Sequence, residues 1–148
     1  MNQNASDRKG EDQASLPEGR QPALRVVAMP EHTNPHGDVF GGWIMAQVDI
    51  AGSVPAIECT GGRIVTVAVN SFHFRKPVFP GDLISFYADV IRVGNTSVTV
   101  RVEVYAQRTP EWTRCVKVTE AELTYVAVDQ EGRPRPIQRE GARSENRA

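Results

Sequence analysis

Scarcity narrows this sequence first. Two cysteines, three histidines and a formal net charge of −1 stand among 148 residues. Two cysteines are too few for a disulfide framework, and with no secretory segment Cys59 and Cys115 are expected to be reduced and buried. A chain this close to neutrality lacks the basic surface expected where nucleic acid is the main partner. No stretch approaches the run of about 20 apolar residues that a membrane span requires. The opening MNQNASDRKGEDQASLPEGR has no apolar core, so it is not expected to act as a secretory signal. Neither a glycine-rich phosphate loop nor the serine elbow of many hydrolases is present. What remains is a single cytoplasmic domain of ordinary composition, 40% hydrophobic and 24% charged.

The informative stretch is Asn34 to Asp49, NPHGDVFGGWIMAQVD. It begins as loop, because Pro35 fixes a backbone angle while Gly37 and the Gly41-Gly42 pair free theirs. It continues as helix: Trp43 to Ile57 is apolar or small apart from Gln47, Asp49 and Ser53, which predicts a buried helix. A carboxylate inside such a helix is costly unless something uses it. Its neighbours at three and four positions, Met45, Ala46, Gly52 and Ser53, are mostly small and leave room beside it. The helix start at Gly41-Gly42 offers unpaired N–H groups at the positive end of the dipole, suited to an oxyanion. Gly42 and Asp49 lie roughly 10 Å apart along one axis, at about 1.5 Å per residue, which is far for joint action on one carbonyl. The helix start of one subunit is therefore expected to act with Asp49 of the partner subunit. Asn34, before Pro35, reads as a turn residue, and Asp38 as a helix cap.

The rest of the chain reads as tail, strands and turns. Residues 1–22 are polar and poor in aromatics, which predicts a disordered tail, and 138–148 a flexible one, around a domain over 23–137. Leu24 to Met29 is a plausible first strand, stopped by Pro30. Pro55 is expected to kink the helix or end it early, ahead of the Thr60-Gly61-Gly62 stop. Arg63 to Phe74 is rich in β-branched residues; Leu83 to Val93 follows the Pro80-Gly81-Asp82 turn, and Gly94-Asn95 makes the next. Val98, Val100, Val102 and Val104 then alternate with Thr99, Arg101, Glu103 and Tyr105, the period of a strand packed on one side. Thr113 to Val128 supplies a final long strand with room for a bulge. The sum is an α+β domain, one helix against an antiparallel sheet of about five strands.

The runs MPEHTNPHGDVFGGWIMAQVD and GGRIVTVAVNSFHFRKPVFPGD resemble acyl-CoA thioesterases of the hotdog fold, in particular the bacterial YciA-type branch, and the likeness extends over residues 24–137. The resemblance implies one long central helix wrapped by a curved antiparallel sheet, a homodimer, and a hexamer built as a trimer of dimers. It implies Asp49 as the catalytic carboxylate, acting as general base or as nucleophile, with Asn34 and the N–H of Gly42, or else Gly41, at the thioester carbonyl. The pantetheine arm would follow Thr66, Val67, Ala68 and Asn70. Arg63, Arg75, Lys76, the turn Arg92, Gly94, Asn95, Thr96 and Ser97, and Arg133 or Arg135 of the C-terminal segment would meet the nucleotide phosphates. Val39, Phe40, Trp43 and Met45 are candidates to line an acyl tunnel. No cofactor is implied, coenzyme A being part of substrate and product.

Histidine supports the competing readings. His32 and His36 are four apart, but Pro35 between them spoils helical metal-ligand spacing, so no metal is expected. Hotdog dehydratases pair a loop histidine with a helix carboxylate, which makes His36 the base of the second reading, a hydroxyacyl-thioester dehydratase. A non-catalytic acyl-CoA-binding module is the third. His73, between Phe72 and Phe74, reads as packing or surface.

Overall fold

The computed structural model describes residues 13–138. Strand β1 (Leu24–Val27) leads through a single 3-10 turn (Pro30–His32) into helix α1 (Gly41–Thr60). Four long strands follow: β2 (Ile64–Phe74), β3 (Leu83–Val93), β4 (Ser97–Arg108) and β5 (Arg114–Ala127). They form one antiparallel sheet in the order β1-β3-β4-β5-β2, so β1 and β2 are its edges. The expected architecture of one long helix on five strands is the observed one.

The period-two pattern builds the core. Val98, Val100, Val102 and Val104 of β4 and Ala121, Leu123 and Tyr125 of β5 turn inward and are at most 1% exposed. They meet Ile44, Val48, Ala51 and Ala56 of α1, and Ile84 and Phe86 of β3. Each of the larger apolar side chains stabilises the fold by roughly 1.5–3 kcal/mol on full burial.

Three expectations need correcting. Pro55 neither ends nor shortens α1, which runs through it to Thr60. Proline removes one backbone bond, but Ala51, Ala56 and Thr60 on either side are buried, and that packing carries the helix past it. Nor is α1 buried all round: Met45, Ile50, Val54 and Ile57 are between 37% and 53% exposed. The third concerns the N-terminal tail. Residues 1–12 lie outside the described ones, but 13–22 cross the outer face of the sheet instead of hanging free. There Ala14 N–H donates to the Cys115 carbonyl at 2.8 Å, and Ala14 and Leu16 pack on Tyr87, Tyr105 and Cys115. Arg20 lies over the Tyr87 ring and pairs with Asp89. A polar composition did not reveal that this segment had a small apolar island to cover. Neither cysteine is in a disulfide; Cys115 is buried as expected, with its thiol pushed up by burial, whereas Cys59 is half-buried.

The far end of the sheet is closed by charge. Arg108 and Asp82, 1% and 0% exposed, form an ion pair. The same carboxylate accepts Phe79 N–H at 2.8 Å, and the guanidinium stands 4.9 Å from the Phe79 ring centre. Pairing of this quality makes a buried charge tolerable.

Candidate active site

Asp49 sits where α1 crosses β2 and β5. Its side chain is half-buried, and Oδ1 accepts a hydrogen bond from Thr66 Oγ1 at 2.8 Å. Its own backbone carbonyl accepts one from the Tyr125 hydroxyl, also at 2.8 Å. Thr66 and Tyr125 stand directly opposite each other across β2 and β5, so two facing strand residues grip one helical residue. Burial first, and then the Asp49 charge, push the Tyr125 hydroxyl well above the usual phenol range. It therefore remains a donor at any physiological pH.

A cavity of about 420 Å³ opens beside the carboxylate. Its walls are Gly42, Met45, Ala46, Asp49, Thr66, Val69, Phe72 and Leu123. It is apolar except for the Asp49–Thr66 pair, so one charged oxygen site faces a space suited to an aliphatic group. Gly42 and Asp49 line this one cavity from a single protomer, one near each end. At the helix start, Trp43 and Ile44 both donate to the Phe40 carbonyl. That leaves the N–H groups of Gly41 and Gly42 without an acceptor inside the helix, at its positive end. Gly42 has open space where a side chain would be, whereas a Cβ at Gly41 would sit 3.1 Å from the Phe74 ring. Gly42 is thus the amide facing the cavity, and Gly41 is small to admit Phe74.

Of the neighbours expected to leave room beside Asp49, Met45 and Ala46 line the cavity, whereas Gly52 serves a different end. A Cβ on Gly52 would lie 2.4 Å from the Tyr125 oxygen, so the space there holds a protein hydroxyl, not ligand. Tyr125 itself escaped the sequence reading. Its signal was present: a tyrosine in the inward-facing series Ala121, Leu123, Tyr125, Ala127 must find a polar partner inside.

Asn34 is folded into its loop. Its side-chain oxygen accepts the N–H of His36 at 2.9 Å and of Asp38 at 3.2 Å, which confirms the turn half of its reading. The amide NH₂ is left as the free end among the described residues, and it does not line the Asp49 cavity. Asp38 makes no side-chain cap on α1, whose N-cap is Phe40. His36 is exposed and outside the Asp49 cavity; His73 is a surface residue. His32 accepts Met29 N–H through Nδ1 and stacks on Trp43 with ring centres 4.4 Å apart, which takes Trp43 out of the cavity wall. Of the proposed tunnel residues only Met45 lines the Asp49 cavity. Among the described residues, no group of histidine, cysteine and carboxylate side chains is arranged to hold a metal.

The cations expected at nucleotide phosphates separate into two groups. Arg75 and Lys76 border a second hollow of about 380 Å³ beside Gly41, Phe74 and Val78, at the helix N-terminal end. Arg75 shares Glu120 at 3.3 Å, and the Lys76 ammonium is free among the described residues. Arg63, exposed Arg92 and the turn Gly94, Asn95, Thr96 and Ser97 lie at the opposite end, because Ser97 pairs with Val126, itself opposite Val65. Eleven residues of β2 separate the two groups, roughly 35 Å at about 3.3 Å per residue. One protomer cannot bring both to one nucleotide. Arg135 is a correction: it donates to the Thr60 carbonyl at 3.2 and 3.3 Å and to the Val128 carbonyl at 3.1 Å. It closes the negative end of α1, and Gly62 is small to let it in, a Cβ there falling 2.7 Å from the guanidinium. Arg133 keeps an exposed side chain. Val67, Ala68 and Asn70 lie along the exposed β2 edge, with register shifts between Thr66 and Ala68 and between Val69 and Ser71; Asn70 bonds Thr124 at 2.9 Å. Thr66, expected along the pantetheine, has its hydroxyl on Asp49 instead.

Comparison with known proteins gives consistent results. A family model described as the thioesterase superfamily matches residues 36–113. The acyl-CoA thioester hydrolase YciA of Escherichia coli is 46% identical over 117 residues, 77% of this chain and 88% of that one. A hexameric hotdog-fold thioesterase of Campylobacter jejuni superposes with a TM-score of 0.79 at 45% identity, covering 87% of this chain and 98% of its own. An acyl-CoA hydrolase of Staphylococcus aureus, solved with butyryl coenzyme A and coenzyme A, superposes with a TM-score of 0.72 at 30% identity, over 77% of this chain and 69% of its own.

Proposed function

The chain belongs to the thioesterase superfamily and has its hotdog fold, and on that premise we propose that it hydrolyses acyl-CoA thioesters to a free carboxylic acid and coenzyme A. The observation that carries this is the Asp49 carboxylate, held by Thr66 on the wall of an apolar cavity whose other end is the start of α1. In the Staphylococcus aureus enzyme the residues replaced by alanine in separate structures are an asparagine, an aspartate and a threonine, spaced by 15 and 17 positions. Asn34, Asp49 and Thr66 have the same two spacings.

In this reading the acyl group lies in the cavity with its carbonyl carbon near Asp49. Asp49 takes a proton from water as the water adds to that carbon, or its own oxygen adds and the resulting anhydride is opened by water. Either route ends with the acyl group as acid and sulfur as the thiol. The carbonyl oxygen gains negative charge on the way, and the helix-start N–H of Gly42 from a second subunit, the one in the same helix lying roughly 10 Å from Asp49, would receive it without reorganisation. The free amide of Asn34, which does not line the Asp49 cavity of its own protomer, would be a second donor only from the other subunit. The reaction is written without metal or cofactor. Arg75 and Lys76 suit the nucleotide end, and the remote group of cations would serve it only from another subunit.

Assembly belongs to the same reading. The cavity borders the exposed stripe of α1 and the long β2 edge, a surface that a second copy would cover, bringing its own helix start towards Asp49. Relatives solved as hexamers support a hexamer here. No helix among the described residues is long and apolar enough to cross a membrane, and two cysteines outside any disulfide suit the reducing cytoplasm. The dehydratase reading loses ground because His36 is exposed, away from the Asp49 cavity, and the named relatives are thioester hydrolases.

The test is release of free thiol from a panel of acyl-CoAs, followed alongside water loss from a hydroxyacyl-CoA. Thiol release is the expected outcome. Water loss without thiol release would establish the dehydratase, and saturable binding without either the binding module.

A further inference from the structure

We propose that Tyr125 is a positioning residue for the thioesterase reaction, its buried hydroxyl fixing the main chain of Asp49 while Thr66 fixes the side chain. The inference rests on the functional reading above and adds to it a residue far from the motif that suggested that reading.

The geometry is specific. A carbonyl inside a helix already has an acceptor role towards the amide four residues on, here Ser53. The Asp49 carbonyl takes a second donor from the sheet, the Tyr125 hydroxyl at 2.8 Å. That bond ties one turn of α1 to β5 at the residue whose carboxylate faces the cavity. Tyr125 is 1% exposed, so its hydroxyl has no water to turn to. Thr66, its cross-strand partner, donates to Oδ1 of the same aspartate at 2.8 Å. Two bonds from one facing pair thus define where Asp49 stands and which way its carboxylate points. Gly52 completes the device, because any side chain there would collide with the tyrosine oxygen. A hydroxyl used only to satisfy itself could accept many partners; this one requires a glycine in the opposing helix and meets the reacting residue.

Tyr125→Phe keeps the ring and removes the bond, while Gly52→Ala keeps the hydroxyl and displaces it. Displacing a reacting group by even 1 Å costs about a hundredfold, and the loss of one of two tethers is expected to lower kcat about tenfold. KM should stay within about twofold in both variants, since neither touches the substrate's nucleotide or tail. Melting temperature and oligomeric state, measured in parallel, identify any drop that follows unfolding. Two folded variants with lowered kcat and unchanged KM support the proposal. A folded Tyr125→Phe with kcat within about twofold of the parent overturns it, as does a change confined to KM. If the parent protein releases no thiol at all, it is the functional reading that fails.

Discussion

The two edges of the sheet are opposites. At one, β1 is four residues long, ends just before Pro30, and covers only Leu83 to Phe86 of its neighbour. At the other, β2 runs for eleven residues with Val65, Val67 and Val69 between 37% and 54% exposed, beside the apolar stripe of α1. A short edge offers little to a pairing strand, whereas a long apolar one invites it. Asp49, Thr66 and the cavity all lie on the open side. The closed side has its own anchor in the Arg108–Asp82 pair and needs nothing more. Stability and chemistry are therefore divided across the sheet, and substitutions on the two sides should separate them.

The strongest test of that division is Asp49→Asn. It keeps the shape and removes the charge, and hydrolysis should fall about 10²–10⁴-fold with the melting temperature scarcely changed, as thiol release and calorimetry would show. Arg108→Met is the mirror image. It strands a carboxylate that is wholly buried, which costs about 3–5 kcal/mol and is read as a lower denaturation midpoint. At temperatures where that variant remains folded, its kcat should match the parent's. A folded Arg108→Met with hydrolysis reduced as far as in Asp49→Asn would abolish the division.

How much of this was legible beforehand depended on the range of the interaction. Alternating valines announced β4, and the glycine-rich entry announced α1 with Asp49 on it, because both patterns are local. The passage of α1 through Pro55 was not legible, since the packing that sustains it comes from strands far along the chain. Nor were the partners of Asp49, for Thr66 and Tyr125 lie 17 and 76 residues away, brought in by sheet register. Charges were the least readable. Arg135 and Arg63 look alike in sequence, yet one closes a helix end through three hydrogen bonds to carbonyls and the other is exposed.

An edge that invites pairing can also be blunted. Val67, 54% exposed at a register shift in β2, is the position of choice, and Val67→Lys introduces the charge that natural edges use against association. Subunit association is expected to weaken about tenfold, seen by sedimentation at falling concentration. Hydrolysis should fall in step with dissociation if the site is completed by a second subunit. Undiminished activity in a dissociated protein would place the whole site within one protomer.

The smallest effect belongs to the segment over the outer face. Arg20 pairs with Asp89 and lies 5.4 Å from the Tyr87 ring centre, but both partners of the ion pair are a third or more exposed. Exposed pairs contribute about 0.2–1 kcal/mol, and an exposed cation over the buried Tyr87 ring adds about 0.5 kcal/mol. Arg20→Ala should therefore lower the melting temperature by only about 2–4 °C in a chain of this length. Raising the salt should shrink the gap between parent and variant, because screening acts on the parent's ion pair alone. Hydrolysis should not change, since the segment covers the face of the sheet turned away from α1. A loss of activity from this substitution would mean that the outer face communicates with Asp49 through the strands between them.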